Sequence, residues 1–172
     1  VHQGADQRDR DETKVRMAEQ TTVSLPKGPD PSRVREWRSE LLASANAHAI
    51  ITVAQRCLES GDTRLVSEPT VGMVPVSVRE PVVGERFILV DVLATRSEVD
   101  HRGQRGWAMR LGDDKEATVA AAICDAEAAA NGPMTGEIDE LCAQTDRLLA
   151  ESSAAEWAEL LPTEVHFEEL VK

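Results

Sequence analysis

Four arginines crowd one short stretch of the chain: Arg96, Arg102, Arg105 and Arg110. A guanidinium presents a planar fork that matches phosphate or carboxylate oxygens two at a time, so anion binding is the first chemistry they suggest. Glu98 falls on the same strand face as Arg96, however, and a cross-strand ion pair or a subunit contact accounts for these residues without a ligand. Exposed charges are mostly solvated or paired, and the ion-pair reading is favoured. Gly103-x-x-Gly106 lies among them but is not a phosphate loop. Such loops lead from a strand through the glycines into a helix N-terminus and carry Lys-Ser or Lys-Thr. Gly112-Asp113-Asp114 does open a helix, yet two acids at that positive end repel an anion.

The remaining reactive side chains are no more suggestive. Cys57, Cys124 and Cys142 form an odd set without a Cys-x-x-Cys pair, and each falls on an apolar helical face, as buried thiols do. His2, His48, His101 and His166 are scattered with no metal-ligand spacing. There is no Gly-x-Ser-x-Gly elbow and no papain-like cysteine context. Carboxylates are plentiful, but none stands out as an acid/base couple. The expectation is a chain with no catalytic, cofactor-binding or metal-binding residue of its own.

The elements that carry these residues centre on 84–126. Phe87 to Val99 is rich in apolar and β-branched types and predicts a strand. Asp100-His101-Arg102-Gly103 supplies a turn, and Gln104 to Leu111 a return strand. There Trp107, Met109 and Leu111 alternate with Gly106, Ala108 and Arg110, the period of a sheet covered on one face. Taking Trp107 as the covered side, Trp107→Ala would cost about 3–5 kcal/mol. Asp113 is expected to cap the next helix, with Glu116 reaching back. That helix should run to about Asn131, where Asn131-Gly132-Pro133 gives a left-handed stop.

On either side the pattern continues. Residues 1–29 are polar and predict a disordered tail; 30–172 predicts a single domain. Asp30-Pro31 opens a helix with Val34, Trp37, Leu41 and Ala45 inward, Arg35, Arg38 and Ser39 outward. A second helix turns Ile50, Val53, Cys57 and Leu58 inward and ends at Gly61. From Leu65 a strand begins, and Pro75 marks it as an edge or a bulged one. Glu80 to Gly84 is short enough to join it antiparallel to the central hairpin. Beyond Pro133, Thr135 is placed to cap a long helix, and Thr163 to Phe167 predicts a last strand. The fold class is α+β: a small antiparallel sheet of about four strands with helices packed against it.

At 172 residues the chain can bury a real core, but with only 3% aromatics its packing must be aliphatic and alanine-based. A net charge of −12 argues against nucleic acid and against an anionic membrane surface. With no apolar run long enough to span a bilayer, a cytoplasmic location is expected.

The order Gly84-Glu85-Arg86-Phe87, Asp91, Ala94-Thr95-Arg96, Gly103, Gly106, Gly112-x-Asp114-Lys115 and Asp125-Ala126 resembles the PhnG family, the G-type component of the bacterial carbon–phosphorus lyase core complex. Pro69-Thr70-Val71-Gly72 keeps the outline of an upstream segment. The ending with Thr163, Val165, Phe167, Leu170 and Val171 is also similar, so the resemblance covers about Val34 to Val171. It implies a non-catalytic subunit that acts with H-, I- and J-type partners in organophosphonate breakdown. In that family, the G-, H- and I-type components take part in replacing the adenine of ATP by a phosphonate, giving ribose 1-phosphonate 5-triphosphate. The J-type partner holds the iron–sulfur cluster and uses S-adenosylmethionine, so no cofactor is implied for this chain. The residues leave a second possibility open, a stand-alone binding or assembly protein of the same fold.

Overall fold

The computed structural model describes residues 33–163, which lie, apart from Arg33, in one compact unit, Val34–Lys172. Helices α1 (Val34–Ser44) and α2 (Ala47–Ser60) lead into strands β1 (Thr63–Arg79), β2 (Arg86–His101) and β3 (Gln104–Leu111). Helix α3 (Lys115–Ala129) and the long α4 (Thr135–Leu160) follow, and a 3-10 turn, Leu161–Thr163, comes after them. The sheet is antiparallel throughout in the order β1-β2-β3. The α+β class expected from the sequence holds, with three strands among the described residues instead of about four. The expected tail at 1–29 and the helix opening at Asp30-Pro31 lie outside the described residues, as does the strand expected from Thr163 to Phe167 except for Thr163 itself, which ends the 3-10 turn.

Helix α3 is the centre of the core. It reads KEATVAAAICDAEAA, and nearly every residue from Ala117 to Ala128 is buried, including Asp125 and Glu127. A helix apolar on all sides needs cover on all sides. The other helices and the inner face of the sheet, where Val99 and Ala108 join the buried cluster, supply it. Alanine allows very close approach. A Cβ added at Gly106 would stand 2.7 Å from Ala126 Cβ and well inside contact with the Ala122 carbonyl oxygen. Glycine is therefore obligatory where β3 crosses the helix.

That crossing decides which side of β3 faces in. Gly106 and Ala108 face α3, while Trp107 is 42% exposed, Met109 is exposed and Leu111 more so. The alternation expected from the sequence is present, but its polarity is reversed: the small residues are the core side. Volume decides it, because large side chains have no room between β3 and an alanine helix.

Other local expectations resolve on caps and burial. Asp114, not Asp113, caps α3, its Oδ1 accepting from Ala117 N–H at 2.9 Å. Asn131 takes the left-handed stop, with φ 50°. Thr135 does not cap α4; its hydroxyl donates to the Gly132 carbonyl at 2.8 Å, and Met134 holds the cap position. Arg38 is buried beside Asp139 at 3.3 Å, whereas Leu58, expected inside, is exposed. β1 is an edge strand with register shifts, as Pro75 indicates. Arg102 and Gly103 both have positive φ, the two-residue hairpin turn whose twist suits the strands.

Two buried carboxylates tie the layers together. Asp125 accepts from Arg35 Nε at 3.1 Å and Nη2 at 2.8 Å, and from Trp107 N–H at 3.0 Å, joining α1, α3 and β3. The hydrogen bond to Asp125 raises the Arg35 pKa further. Glu127 meets His101 Nε2 at 2.8 Å and accepts the Met134 N–H at 3.0 Å, while His101 Nδ1 faces the Thr63 hydroxyl at 2.6 Å. His101 and Glu127 are fully buried, and Gly132 leaves the space that the Glu127 carboxylate occupies. The pair joins the end of β2, the start of β1, α3 and the entry to α4.

Three substitutions test these supports. Glu127→Ala should cost about 3–5 kcal/mol in urea unfolding, since it strands a buried imidazole and a buried amide. A loss under about 1 kcal/mol would remove the pair from the fold's supports. Trp107→Ala should cost only about 1–2 kcal/mol, because much of the ring is already in water. Gly106→Ala, despite adding one methyl group, should cost more than Trp107→Ala because backbone stands in the way. The opposite ranking would invert the assignment of the two sheet faces.

Candidate functional site

The four arginines do not converge. Arg110 lies on the inner side and donates to the carbonyls of Leu42 and Ala45, the latter at 2.6 Å, so it closes the C-terminal end of α1. Burial lowers its pKa, opposed by Asp114 nearby. Arg102 sits in the hairpin turn, donates to the Ser60 carbonyl and approaches Glu127 at 3.7 Å. Arg105 pairs with Glu98 at 3.0 Å across the strands. Arg96 is exposed on the outer face opposite Met109. The ion-pair reading of this stretch is therefore right in kind, but Glu98 takes Arg105 and not Arg96. No phosphate cradle forms from this set.

The three cysteines are buried and free. The Cys124 thiol is pushed well up, first by its hydrogen bond with Cys57 and then by burial, and burial pushes Cys142 up to about 12. Such thiols are not nucleophiles at neutral pH. Among the described residues no group of three His, Cys, Asp or Glu is placed to hold a metal ion. A cleft of about 530 Å³ opens beside the β2–β3 turn, lined in part by Asp62, Arg64, Asp100 and Arg102. Its two acids and two bases leave no net preference for an anion.

What the structure does present is uncovered apolar surface. Trp107, Met109 and Leu111 lie bare on the outer face of β3. Farther along, β1 and β2 continue past the end of β3 as a two-stranded ribbon. There Phe87, Ile88, Leu89 and Val90 are exposed one after another, so both faces of the ribbon lack cover. At its tip Val82 and Val83 are almost fully exposed, yet the tip is ordered by its own bonds. Both their N–H groups donate to the Glu80 carboxylate at 2.6 Å, which holds that carboxylate below its usual range.

Two further apolar patches add to this. The described part of α4 buries nothing beyond Thr145, and Leu148, Leu149, Trp157 and Leu160 stand in solvent. Between α2 and α3 a groove of about 410 Å³ is lined by Ile51, Leu58, Pro69, Val119 and Ile123, among others. Contiguous apolar patches beyond a few hundred Å² mark interaction sites in soluble proteins. Sequence reasoning placed Trp107 in the core and so missed the outer face. The signal for the ribbon was present in Phe87-Ile88-Leu89-Val90, because a continuous apolar run asks for cover on both sides.

Among the described residues no helix is long and apolar enough to cross a membrane. No curated protein matches the chain. The family model described as phosphonate metabolism protein PhnG matches residues 33–172, a range that includes every described residue. The uncovered faces thus belong to a member of the PhnG family, with a role in phosphonate metabolism.

Proposed function

We propose that the chain is a non-catalytic subunit of a carbon–phosphorus lyase core complex, acting in the bacterial cytoplasm with H-, I- and J-type subunits. The observation that carries this is the bare ribbon and outer face of the sheet, from Phe87 to Val90 and from Trp107 to Leu111. A folded, capped and well-supported domain that leaves this much apolar strand surface in water is built for permanent partners. Family membership supplies the chemistry they share, the breakdown of organophosphonates.

Within this reading, the complex replaces the adenine of ATP by a phosphonate to give ribose 1-phosphonate 5-triphosphate. The ATP site, the iron–sulfur cluster and S-adenosylmethionine belong to the partners. This chain contributes shape: an acidic body whose buried carboxylates are spent on internal bonds, and an apolar arm for its neighbours.

The chain co-expressed with its H- and I-type partners should co-purify with them. The purified chain alone should neither hydrolyse ATP nor transfer anything between ATP and methylphosphonate, followed by phosphorus NMR. Turnover by the lone chain, or a chain that stays unbound while its partners assemble without it, would sink the reading.

A further inference from the structure

We propose that the open lane beside the outer half of β2 takes an extended apolar segment of a partner subunit, added as a strand in line with β3. This rests on the complex-subunit reading above and names the contact that such a complex would use.

β3 pairs with β2 only between Ala94 and His101, and it ends at Leu111 because Gly112, at φ 90°, turns the chain away to α3. β2 continues to Arg86 with β1 alongside it as far as Arg79. Among the described residues, then, β2 has a neighbour on one edge only from Arg86 to Leu93, and the other edge looks onto the lane that β3 has vacated. The Gly112 N–H donates to the Leu93 carbonyl at 2.8 Å, which fixes the edge toward which Leu93 points its backbone groups. In an antiparallel strand these groups alternate residue by residue, so Asp91 also points its N–H and C=O into the lane.

The opposite edge of the ribbon is blunted. Pro75 lies across from Asp91, so its missing N–H falls on the outer edge of β1. Proline and irregular register are ordinary protections of an exposed edge, and β1 carries Pro75 and extra residues at Leu65/Ser67 and Ser67/Thr70, whereas the shift at Val76/Ser77 places one extra residue, Leu89, on β2. The β2 edge has no proline. A long, mostly apolar edge without proline is a template for an added strand, here on the regular stretch around Asp91 and Leu93.

Area and charge say what fits. The eight-residue overhang is roughly 26 Å long, and two strands make a strip roughly 10 Å wide. Its two faces offer on the order of 500 Å². Together with the bare face over β3 this approaches the roughly 800 Å² per partner of a stable specific interface. A second copy joined edge to edge would satisfy the lane but leave the faces of both ribbons bare. A strand that belongs to a larger partner covers edge and face together. In a chain of net charge −12, Arg79 and Arg86 nearly balance Glu80, Glu85 and Asp91 on the ribbon, so an apolar strand suits it better than a basic one.

The experiment is amide hydrogen exchange at Asp91, comparing the lone chain with the co-purified complex of H-, I- and J-type subunits. The Asp91 amide should slow at least tenfold in the complex, with the buried Val99 amide as internal reference. Asp91→Pro, which removes a lane N–H and no β1–β2 bond, should weaken retention of partners at least tenfold. Ile88→Lys, which sets a charge on the ribbon, should do the same if the proline variant fails to fold. An Asp91 amide that exchanges equally fast in an intact complex overturns the strand proposal and leaves the subunit reading standing. Slowing that depends on the concentration of the lone chain overturns it in favour of a second copy. Absence of any complex overturns both.

Discussion

The contact between Gly106 and the alanine face of α3 is the constraint from which the rest of the architecture follows. With an α-helix this close to a strand there is room for hydrogen or methyl, and for little more. The helix must therefore be alanine-rich, and the strand must send its large residues away from it. Because β2 and β1 share the pleat of β3, the inner face is fixed for the whole sheet, with Thr95, Ser97, Val99 and His101 of β2 buried. The outer face then inherits Trp107, Met109 and Leu111. An exposed apolar face is thus the geometric consequence of a close-packed inner one.

Close packing of small groups brings little hydrophobic area per residue, and the molecule compensates with directed polar contacts. Asp125 and Glu127 lie two residues apart on α3 and point to different neighbours, one to Arg35 and β3, the other to His101 and the start of α4. Each buried carboxylate is satisfied by several donors, the condition under which such a group supports a fold instead of weakening it. Arg110 closes α1 by capping its free carbonyls, where a positive charge suits the helix dipole. These bonds fix the helices against a sheet whose inner face is too small to fix them by volume alone. Of the four arginines that the sequence first suggests for anion binding, Arg110 is spent in this way.

Much of the frame could be read from the sequence: the hairpin at Arg102-Gly103, the edge character of β1 from Pro75, the buried cysteines, and the left-handed stop at Asn131. Those signals are local, carried by φ preferences, missing N–H groups and helical spacing. What could not be read was the sign of a pattern. Period-two alternation says that two faces differ, and only the neighbouring element says which one is inside. The rule that large apolar residues go in fails at Trp107 because the neighbour is an alanine helix. His101 escaped for the opposite reason: its local context is a turn, and its partner Glu127 is distant in sequence and lies inside a helix that looks uniformly apolar. Arg38 looked exposed on its helical wheel and is buried because α4 passes over it with Asp139.

The uncovered surface has a further physical implication. A two-stranded ribbon is marginal in water without a covering layer, and this one runs well past β3. Its tip is nevertheless pinned, by Glu80 on the N–H groups of Val82 and Val83 and by Arg79 on the Gly84 carbonyl. Pinning a turn removes conformational freedom before a partner arrives, so less ordering entropy is lost on association. Pro69, Pro75 and two of the three register shifts fall on β1, while β2 has no proline and one extra residue, Leu89; an edge that served no purpose would carry the same protection on both sides. The asymmetry gives the arm a direction. It can be approached along β2 and not along β1, which allows one orientation of a partner strand and disfavours uncontrolled stacking of the chain on itself.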